Sequence, residues 1–345
     1  MPKNKLNPIY RFAVHLALVA LGLFAAALSA ECLLRLTVSK YDITGRYWGE
    51  GAFASDEENG FRHAPGYEGY VHRRKIFHAY CRINHLGLRE SDFDRQMNYR
   101  KKIMVIGDSF AFGAGVPEEN GVSALLQKKL NPDGIGVLNA SQFGYCTAQE
   151  AAFAKRIGPI IEPDLILLFM YPGNDFTPNL QKDYLKFEVV DGFLMSADRR
   201  GRNTFIDYLR THSYLIFFIE EKIRRIVRNM YPETDINRPI PRDIRNQVEE
   251  ATAGSLESLR QYCRLNGIRL GVVIIPVNDP DKMRMADHIL SAGNYDYLNL
   301  GGKGFTKKDR FEIDSHWNKS GHRKAAVLTD AFIRKQYQTA LFEEA

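Results

Sequence analysis

Three short polar motifs contain the residue types that acyl-transfer chemistry requires. They are Gly107-Asp108-Ser109, Gly173-Asn174-Asp175 and Asp314-Ser315-His316-Trp317-Asn318. A serine hydroxyl is a weak nucleophile until a neighbouring base removes its proton, and His316 could serve Ser109 in this way. A carboxylate beside that histidine, here Asp314, would hold the imidazole in the correct tautomer. The motifs therefore predict Ser109, His316 and Asp314 as nucleophile, base and orienting acid.

The tetrahedral intermediate of acyl transfer also needs hydrogen-bond donors that are aimed at its oxyanion. We expect these donors to be the backbone N–H of Ser109, the backbone N–H of Gly144 and the side-chain amide of Asn174. A glycine at position 144 allows the backbone to approach the reacting group closely. Other motif residues are predicted to shape and anchor the loops rather than to react. These supporting residues are Gly107, Asp108, Gly173, Asp175 and Asn318.

Apolar strand-like runs that alternate with helical stretches indicate which elements position the motifs. The predicted strands lie at residues 103–106, 136–138, 164–169 and 269–275. The predicted helices lie at residues 122–130, 148–157, 205–229, 245–266 and 319–335. This order is typical of parallel β-α-β units with helices on both faces of the sheet. Ligands of such sheets bind beyond the carboxyl ends of the strands, which is where Ser109 and Asn174 would lie.

In this order, the motifs resemble those of the SGNH (GDSL-type) hydrolases. The four residues that name the family map onto Ser109, Gly144, Asn174 and His316. The resemblance implies an α/β fold, a three-layer α/β/α sandwich with a central, flavodoxin-like parallel sheet. It also implies an esterase, lipase or acyl transferase without a cofactor.

Two positions depart from the family pattern, and two further segments extend the resemblance. Ile313 stands where the last block usually has its aspartate, so Asp314 takes that role one place later, and Ala111 stands where a threonine is common. Residues 31–35 (ECLLR) and 84–89 (NHLGLR) resemble the membrane-anchored bacterial envelope members of the family. The resemblance thus covers nearly the whole chain.

The N-terminus has the pattern of a membrane anchor. Residues 12–30 are apolar except for His15 and Ser29, and these nineteen residues come close to the roughly 20 that cross a bilayer as a helix. A cleaved signal peptide is the alternative, although the run is long and Leu28 occupies a position where signal peptidase prefers a small residue. A buried core helix would need a polar face, which this run lacks.

The charge distribution indicates the topology and argues against nucleic acid. Of the formal net charge of +6, three positive charges precede the apolar run, at Lys3, Lys5 and Arg11. Basic residues on the short side of an anchor favour a cytoplasmic N-terminus, and so an extracytoplasmic main domain at the inner (plasma) membrane. No basic stripe interleaved with aromatic residues is present, so no nucleic-acid partner is expected.

Four regions follow from these patterns. They are a cytoplasmic basic segment (1–11), a transmembrane helix (12–38), a juxtamembrane segment of loops and short strands (39–100) and an SGNH-like domain (101–340). The helix at 205–229 is apolar at its start and basic from Lys222 onward. It would pack in the core with a solvated basic end, lie on anionic lipid or cover the site cleft.

The cysteines and histidines give no metal-binding pattern. Cys32, Cys81, Cys146 and Cys263 form no CxxC pair, although an exported domain permits disulfides. His322 is expected to be hydrogen-bonded near the start of the last helix rather than to bind a metal. We therefore predict no metal and no cofactor.

The sequence as a whole predicts an extracytoplasmic serine hydrolase or O-acyltransferase. Its substrate would be an ester-linked acyl group, for example on a cell-envelope polysaccharide, and its membrane contact would be the N-terminal helix. Two alternatives stay open. One is a catalytically silent binding or assembly protein of an envelope-glycan pathway. The other is a metal-dependent phosphoesterase, which would use Asp108, Asp175, Asp314 and His316.

Overall fold

A computed structural model describes the chain at residues 7–37, 48–73, 76–182, 185, 187–190, 192–196, 205, 209, 212–230, 239–312 and 314–343. The helices described are α1 (Pro8–Thr37), α2 (Phe93–Met97), α3 (Ser109–Phe112), α4 (Val122–Leu130), α5 (Thr147–Ile161), α6 (Phe176–Gln181), α7 (Tyr214–Met230), α8 (Arg245–Leu265), α9 (Pro280–Ala292), α10 (Lys319–Gln336) and α11 (Gln338–Leu341). The strands described are β1 (Phe53–Asp56), β2 (Gly60–His63), β3 (Glu68–Arg73), β4 (Phe77–Arg82), β5 (Lys101–Gly107), β6 (Ile135–Asn139), β7 (Leu165–Met170), β8 (Phe187–Val190), β9 (Phe193–Ser196), β10 (Arg269–Ile274) and β11 (Asp296–Asn299).

Five parallel strands form the central sheet in the order β6-β5-β7-β10-β11. From β5 the chain first adds β6 on one side and then β7 on the other. Where the strand order reverses in this way, the connecting helices lie on opposite faces of the sheet. A crevice therefore opens outside the carboxyl ends of β5 and β7. The motifs that follow β5 and β7 therefore lie beside the same crevice.

Strand side chains alternate between two buried clusters, one on each face of the sheet. Ile103 and Val105 of β5 pack with α4 and α10, whereas Met104 and Ile106 pack with α5 and α8. This period of two is what a strand requires when both of its faces are covered by helices. The predicted three-layer α/β/α sandwich with a parallel sheet is confirmed.

The predicted strands and helices of the sandwich are found close to their expected positions. Strand β11 and helix α9 were not predicted, because β11 is short and only half-buried and so lacks a continuous apolar run. The predicted helix at 205–229 corresponds to α7, whereas its residues 206–208 and 210–211 lie outside the described part of the chain. Ser109, expected in a turn, is the first residue of the one-turn helix α3.

By its contacts the chain divides into two units, Met1–Gly45 with Gly201–Pro232, and Arg46–Arg200 with Glu233–Ala345. The second unit includes the described part of the predicted juxtamembrane segment. Antiparallel hairpins β1–β2 and β3–β4 place Trp48, Phe61 and Val71 in the same buried cluster as one face of the sheet. Residues 39–47 of that segment lie outside the described part.

The first unit contains α1, which is 30 residues long. The segment Ile9–Thr37 is long and apolar enough to cross a membrane, and none of its most apolar stretch is buried against protein. Lys3 and Lys5 of the predicted basic segment lie outside the described residues, whereas Arg11 falls within the helix.

Candidate functional site

Ser109 occupies the first turn after β5, and a carboxylate fixes that turn. The Asp108 side chain caps α3 by accepting a hydrogen bond from the backbone N–H of Phe110 at 2.9 Å. Gly107 leaves no room for a side chain, since a Cβ there would lie 2.8 Å from the Ala111 Cβ. The backbone can therefore turn sharply at the end of the strand and carry Ser109 to the edge of the sheet.

The three residues predicted to react with substrate or orient the base are brought together. Ser109 Oγ lies 2.7 Å from His316 Nε2, and His316 Nδ1 is in hydrogen-bond contact with Asp314 Oδ1. The same carboxylate oxygen also accepts the backbone N–H of His316 at 2.8 Å. Ser109 is 207 positions from His316 in the sequence, so their contact depends on the sheet topology.

Backbone bonds and aromatic packing hold the His316 loop in place. The carbonyl of His316 accepts the N–H of Phe311 at 3.1 Å, and Asn318 caps α10 by accepting from Ser320 and Gly321. The imidazole packs against the ring of Phe110, with 5.0 Å between their centroids. The tautomer and the ring orientation are thus fixed before any ligand binds. Ile313, the departure from the family pattern, lies outside the described residues.

Of the three predicted oxyanion donors, Ser109 and Asn174 lie at the start of α3, and Gly144 lies in the loop after β6. The Asn174 amide donates to Asp108 Oδ2 at 3.1 Å, which fixes its position beside Ser109. Gly144 has a φ of +81°, which favours glycine, and its loop is tied to the end of β5 by the N–H of Gln142 donating to the Gly107 carbonyl at 3.0 Å. Within the described residues, the N–H groups of Ser109 and Gly144 have no hydrogen-bond acceptor. Both could therefore bind an anionic oxygen.

The carboxyl groups of the predicted supporting residues Asp108 and Asp175 are buried. Burial raises the pKa of Asp108 to about 6, although its hydrogen bond from Phe110 opposes the shift. Burial and the neighbouring carboxyl groups raise the pKa values of Asp175 and Glu150 well above the ordinary range. The carbonyl of Gly173 accepts a hydrogen bond from Lys282 at 3.2 Å.

Three of the four side chains that the metal-dependent alternative would use make other contacts: Asp108 caps α3, and Asp314 contacts His316. His316 directs one ring nitrogen to Ser109 and the other to Asp314. In the described part of the chain, no three His, Cys, Asp or Glu side chains are grouped so that they could hold a metal ion. His322 is buried against the ring of Trp317, and burial lowers its pKa to about 3, so it is a neutral core residue. The four cysteines are free thiols, of which only Cys32 is exposed.

Residues of the juxtamembrane hairpins support the site, and sequence reasoning did not assign them this role. His63 is buried, and its Nε2 accepts the N–H of Phe143, next to Gly144, at 3.2 Å. Burial lowers the pKa of His63 to about 3, which keeps this nitrogen available as an acceptor. Gln142 accepts the N–H of His63 at 2.9 Å. The loop that carries Gly144 is therefore held by β2.

Arg73, at the end of β3, forms an ion pair with the second oxygen of Asp314. This guanidinium fixes the carboxylate that orients His316. If His316 acts as the base for Ser109, as the motifs predict, Arg73→Gln should lower kcat by roughly 10- to 100-fold with little change in KM, because the imidazole would be less well placed. Arg73→Lys should restore part of the loss.

The matched control is Arg82→Gln on the adjacent strand, which removes an exposed ion pair with Glu68. Steady-state kinetics should leave this control close to wild type, because exposed ion pairs contribute little. Equal kcat values for Arg73→Gln and Arg82→Gln would mean that Arg73 does not position Asp314.

Arg89, in the segment that resembles the envelope members, clamps the helix that carries Ser109. Its guanidinium is buried and donates to the carbonyls of Phe112 and Gly113 at 3.0 and 2.6 Å, and to that of Val116 at 2.7 Å. These carbonyls lie at the end of α3 and just after it, and the other donors to Phe112 and Gly113 are more distant, at 3.4 and 3.3 Å.

Replacing Arg89 by methionine is expected to lower the free energy of unfolding by about 3 kcal/mol or more, because several buried carbonyls lose their donors. Chemical denaturation of the full chain in detergent measures this change. Arg82→Met serves as the exposed control. An unchanged denaturation midpoint for Arg89→Met would contradict the clamp.

Glu90 is a buried acid that accepts the N–H of Asn139, the last residue of β6, at 3.2 Å. Burial, with Glu118 nearby, raises its pKa from 4.5 to about 8. When the pH lies between these two pKa values, Glu90 carries a proton in the folded protein that it has lost in the unfolded chain. The free energy of unfolding should therefore fall by a few kcal/mol as pH rises through this interval.

Denaturation of Glu90→Gln over the same pH range should show that most of this fall in the free energy of unfolding with rising pH is lost. Glu119→Gln, which changes an exposed acid nearby, should keep the wild-type slope. If the Glu90→Gln and wild-type slopes are the same, Glu90 does not hold the proton.

Known structures provide a comparison for this fold. The psychrotrophic esterase EstA from Pseudoalteromonas sp. is 14% identical with a TM-score of 0.43, and the match covers 69% of this chain and 99% of that chain. A family 3 carbohydrate esterase of Clostridium thermocellum is 11% identical with a TM-score of 0.41, and the match covers 70% of this chain and 98% of that chain. A GDSL-like lipase from Bacteroides thetaiotaomicron is 10% identical with a TM-score of 0.37, covering 72% and 91%.

The chain matches no family model and no curated protein sequence. The SGNH resemblance predicts structural neighbours of this kind, and such neighbours are found. Their identities and TM-scores are low, so these neighbours do not establish the function of the chain.

Proposed function

We propose that the chain is a serine hydrolase that cleaves or transfers ester-linked acyl groups. The observation that carries this proposal is the 2.7 Å contact between Ser109 Oγ and His316 Nε2, with Asp314 on the other ring nitrogen. Acyl transfer requires a nucleophile that contacts a base and a carboxylate that orients the base, and these three residues are arranged in that way. Among the described residues, the backbone N–H groups of Ser109 and Gly144 have no hydrogen-bond acceptor and so are available to an oxyanion.

In the proposed mechanism, Ser109 Oγ attacks the ester carbonyl while its proton passes to His316 Nε2. Asp314 stabilises the imidazolium through Nδ1. The oxyanion accepts hydrogen bonds from the N–H groups of Ser109 and Gly144 and from the Asn174 amide. The alkoxide then leaves with the proton from His316, so that an acyl-enzyme on Ser109 remains.

The second half of the reaction decides between hydrolysis and transfer. His316 takes a proton from an incoming hydroxyl, whose oxygen attacks the acyl carbonyl. The bond from the acyl carbon to Ser109 Oγ then breaks, and His316 returns the proton to Oγ. Water gives a carboxylic acid, whereas a sugar hydroxyl gives a new ester. We propose an acyl group on a cell-envelope polysaccharide as the substrate, because the anchor and the charge pattern favour a location outside the cytoplasm.

A panel of acyl esters with the full chain in detergent tests this function. We expect turnover of short-chain esters, with free sugars present and absent to compare transfer with hydrolysis. No turnover of any ester would favour the silent binding protein. Turnover of phosphate esters that a chelator abolishes would favour the metal-dependent alternative.

We further propose that α1 spans the inner membrane and remains attached to the chain. Lys3, Lys5 and Arg11 would face the cytoplasm, and the sheet would lie outside it. Protease added to spheroplasts should then digest the sheet-containing unit but leave the first residues protected.

A further inference from the structure

Helix α7 has an apolar side that is exposed in the part of the chain that the structure describes. Ile219, Ile223 and Ile226 recur at helical spacing and so share one side of the helix. Their exposed fractions are 46%, 54% and 57%, which is high for isoleucine. Three exposed isoleucines on one side of a helix indicate a missing partner.

The charged residues of α7 lie at sequence positions outside this apolar side. It contains four basic residues, Lys222, Arg224, Arg225 and Arg228, and two acidic residues, Glu220 and Glu221. By helical spacing these positions fall outside the arc of the three isoleucines. A basic polar side opposite an apolar side is typical of helices that lie in the surface of an anionic membrane.

The start of α7 is bonded to the end of the predicted membrane span. Glu31 follows directly after the apolar run of α1, and its carboxylate accepts the N–H groups of Leu215 and Tyr214 at 2.8 and 3.1 Å. It also accepts the hydroxyl of Ser213 at 2.9 Å. A carboxylate at this position stabilises the N-terminus of the helix.

A second residue of α1 strengthens this junction. Arg35 donates to the carbonyl of His212 at 2.7 Å, and its guanidinium lies 4.8 Å from the centre of the Tyr214 ring. The first turn of α7 is therefore fixed at residues 31–35 of α1, where the apolar run has just ended. For a membrane-spanning α1, that level is the boundary between acyl chains and water.

We propose that α7 lies in the surface of the same bilayer that α1 spans and binds anionic phospholipids. The Ile219, Ile223 and Ile226 side enters the acyl-chain boundary, and the net positive charge of the α7 sequence attracts the phosphate headgroups. The bond from Glu31 sets the depth of the helix. This inference rests on the proposed membrane anchoring by α1 and is independent of the chemistry at Ser109.

Tryptophan quenching by brominated lipid tests the inference on the full chain. Ile223→Trp places a fluorophore on the apolar side, and Glu221→Trp places one on the polar side as the matched control. Leu21→Trp reports on the span itself. The native Trp48 and Trp317 are buried in the protein and give a common background. Each variant is reconstituted into vesicles of acyl-brominated phosphatidylcholine, with and without phosphatidylglycerol.

We expect quenching several-fold stronger at position 223 than at 221, and stronger at 223 when phosphatidylglycerol is present. Strong quenching at 21 with equal quenching at 223 and 221 would overturn the inference while α1 remains a span. In that case α7 packs on protein, either its own chain or a second copy. Absence of quenching at 21 would overturn the anchor and the inference together. Ester turnover is not part of the readout, so failure of the proposed hydrolase would leave this result unaffected.

Discussion

Ser109→Ala is expected to lower kcat for ester hydrolysis by a factor on the order of 10⁶, because no acyl-enzyme can form without the hydroxyl. Ser109 Oγ contacts His316 Nε2 directly, so the histidine then has no proton to remove. The backbone N–H groups and the Asn174 amide remain, and they leave a small residual rate. KM should change little, because the hydroxyl acts in bond formation rather than in ground-state binding.

The matched control for this variant is Ser255→Ala in α8. The Ser255 hydroxyl donates to the carbonyl of Ala251 in its own helix at 2.9 Å and touches none of the proposed catalytic residues. Steady-state kinetics should show wild-type turnover for this control. If Ser109→Ala retained more than a small fraction of wild-type activity, another group would have to be the nucleophile.

Asp314→Asn is expected to lower kcat by about 10⁴-fold while the fold is retained. One oxygen of Asp314 accepts both the ring N–H and the backbone N–H of His316. An amide can present an N–H to the ring and so favour the tautomer in which Nε2 is protonated. That tautomer cannot accept the proton of Ser109. The amide would also lose the ion pair with Arg73.

Asp309→Asn separates this effect from the loss of any buried carboxylate. Asp309 is buried, and it accepts from Lys324 at 2.7 Å and from Ser320 at 2.8 Å without contacting His316. Its bonds to Lys324, Thr306 and Ser320 outweigh its burial and lower its pKa to about 2, so the ionised form stabilises the fold above about pH 4. The control should lower the denaturation midpoint but not kcat. Equal losses of kcat in both variants would contradict the role of Asp314.

The sheet and the local motifs could be predicted because their signals are short-range. Residues 103–106 are a continuous apolar run, and Gly107 follows at the point where the strand must turn sharply. The same pattern of strand and polar loop identified Asn174 after β7. Pairing these loops at one crevice needed only the rule that parallel strands end at one edge.

The supporting residues could not be predicted, because each acts across a long stretch of sequence. Arg73 reaches Asp314 from 241 positions away, and its own neighbours in β3 form an ordinary hairpin. Arg89 was singled out only by resemblance, and its carbonyl partners became visible with the turn after α3. His63 looks like any strand residue until its contact with Phe143 is known. No local periodicity encodes such contacts.

The location of helix α7 could not be predicted from its sequence for a different reason. Its sequence is amphipathic, and this property alone was compatible with a core helix, a lipid-bound helix or a cover over the cleft. The exposure of Ile219, Ile223 and Ile226 and the bonds from Glu31 depend on tertiary structure. These observations favour the membrane surface.

The central claim, that Ser109 is an activated nucleophile, is tested most directly by fluorophosphonate labelling of the folded full chain. Peptide mass spectrometry identifies the modified residue, with the heat-denatured chain and Ser109→Ala as controls. We predict one label per chain, on Ser109, formed in the presence of a chelator and absent from both controls. An unmodified Ser109 in the folded chain, or equal labelling of the denatured chain, would contradict the account.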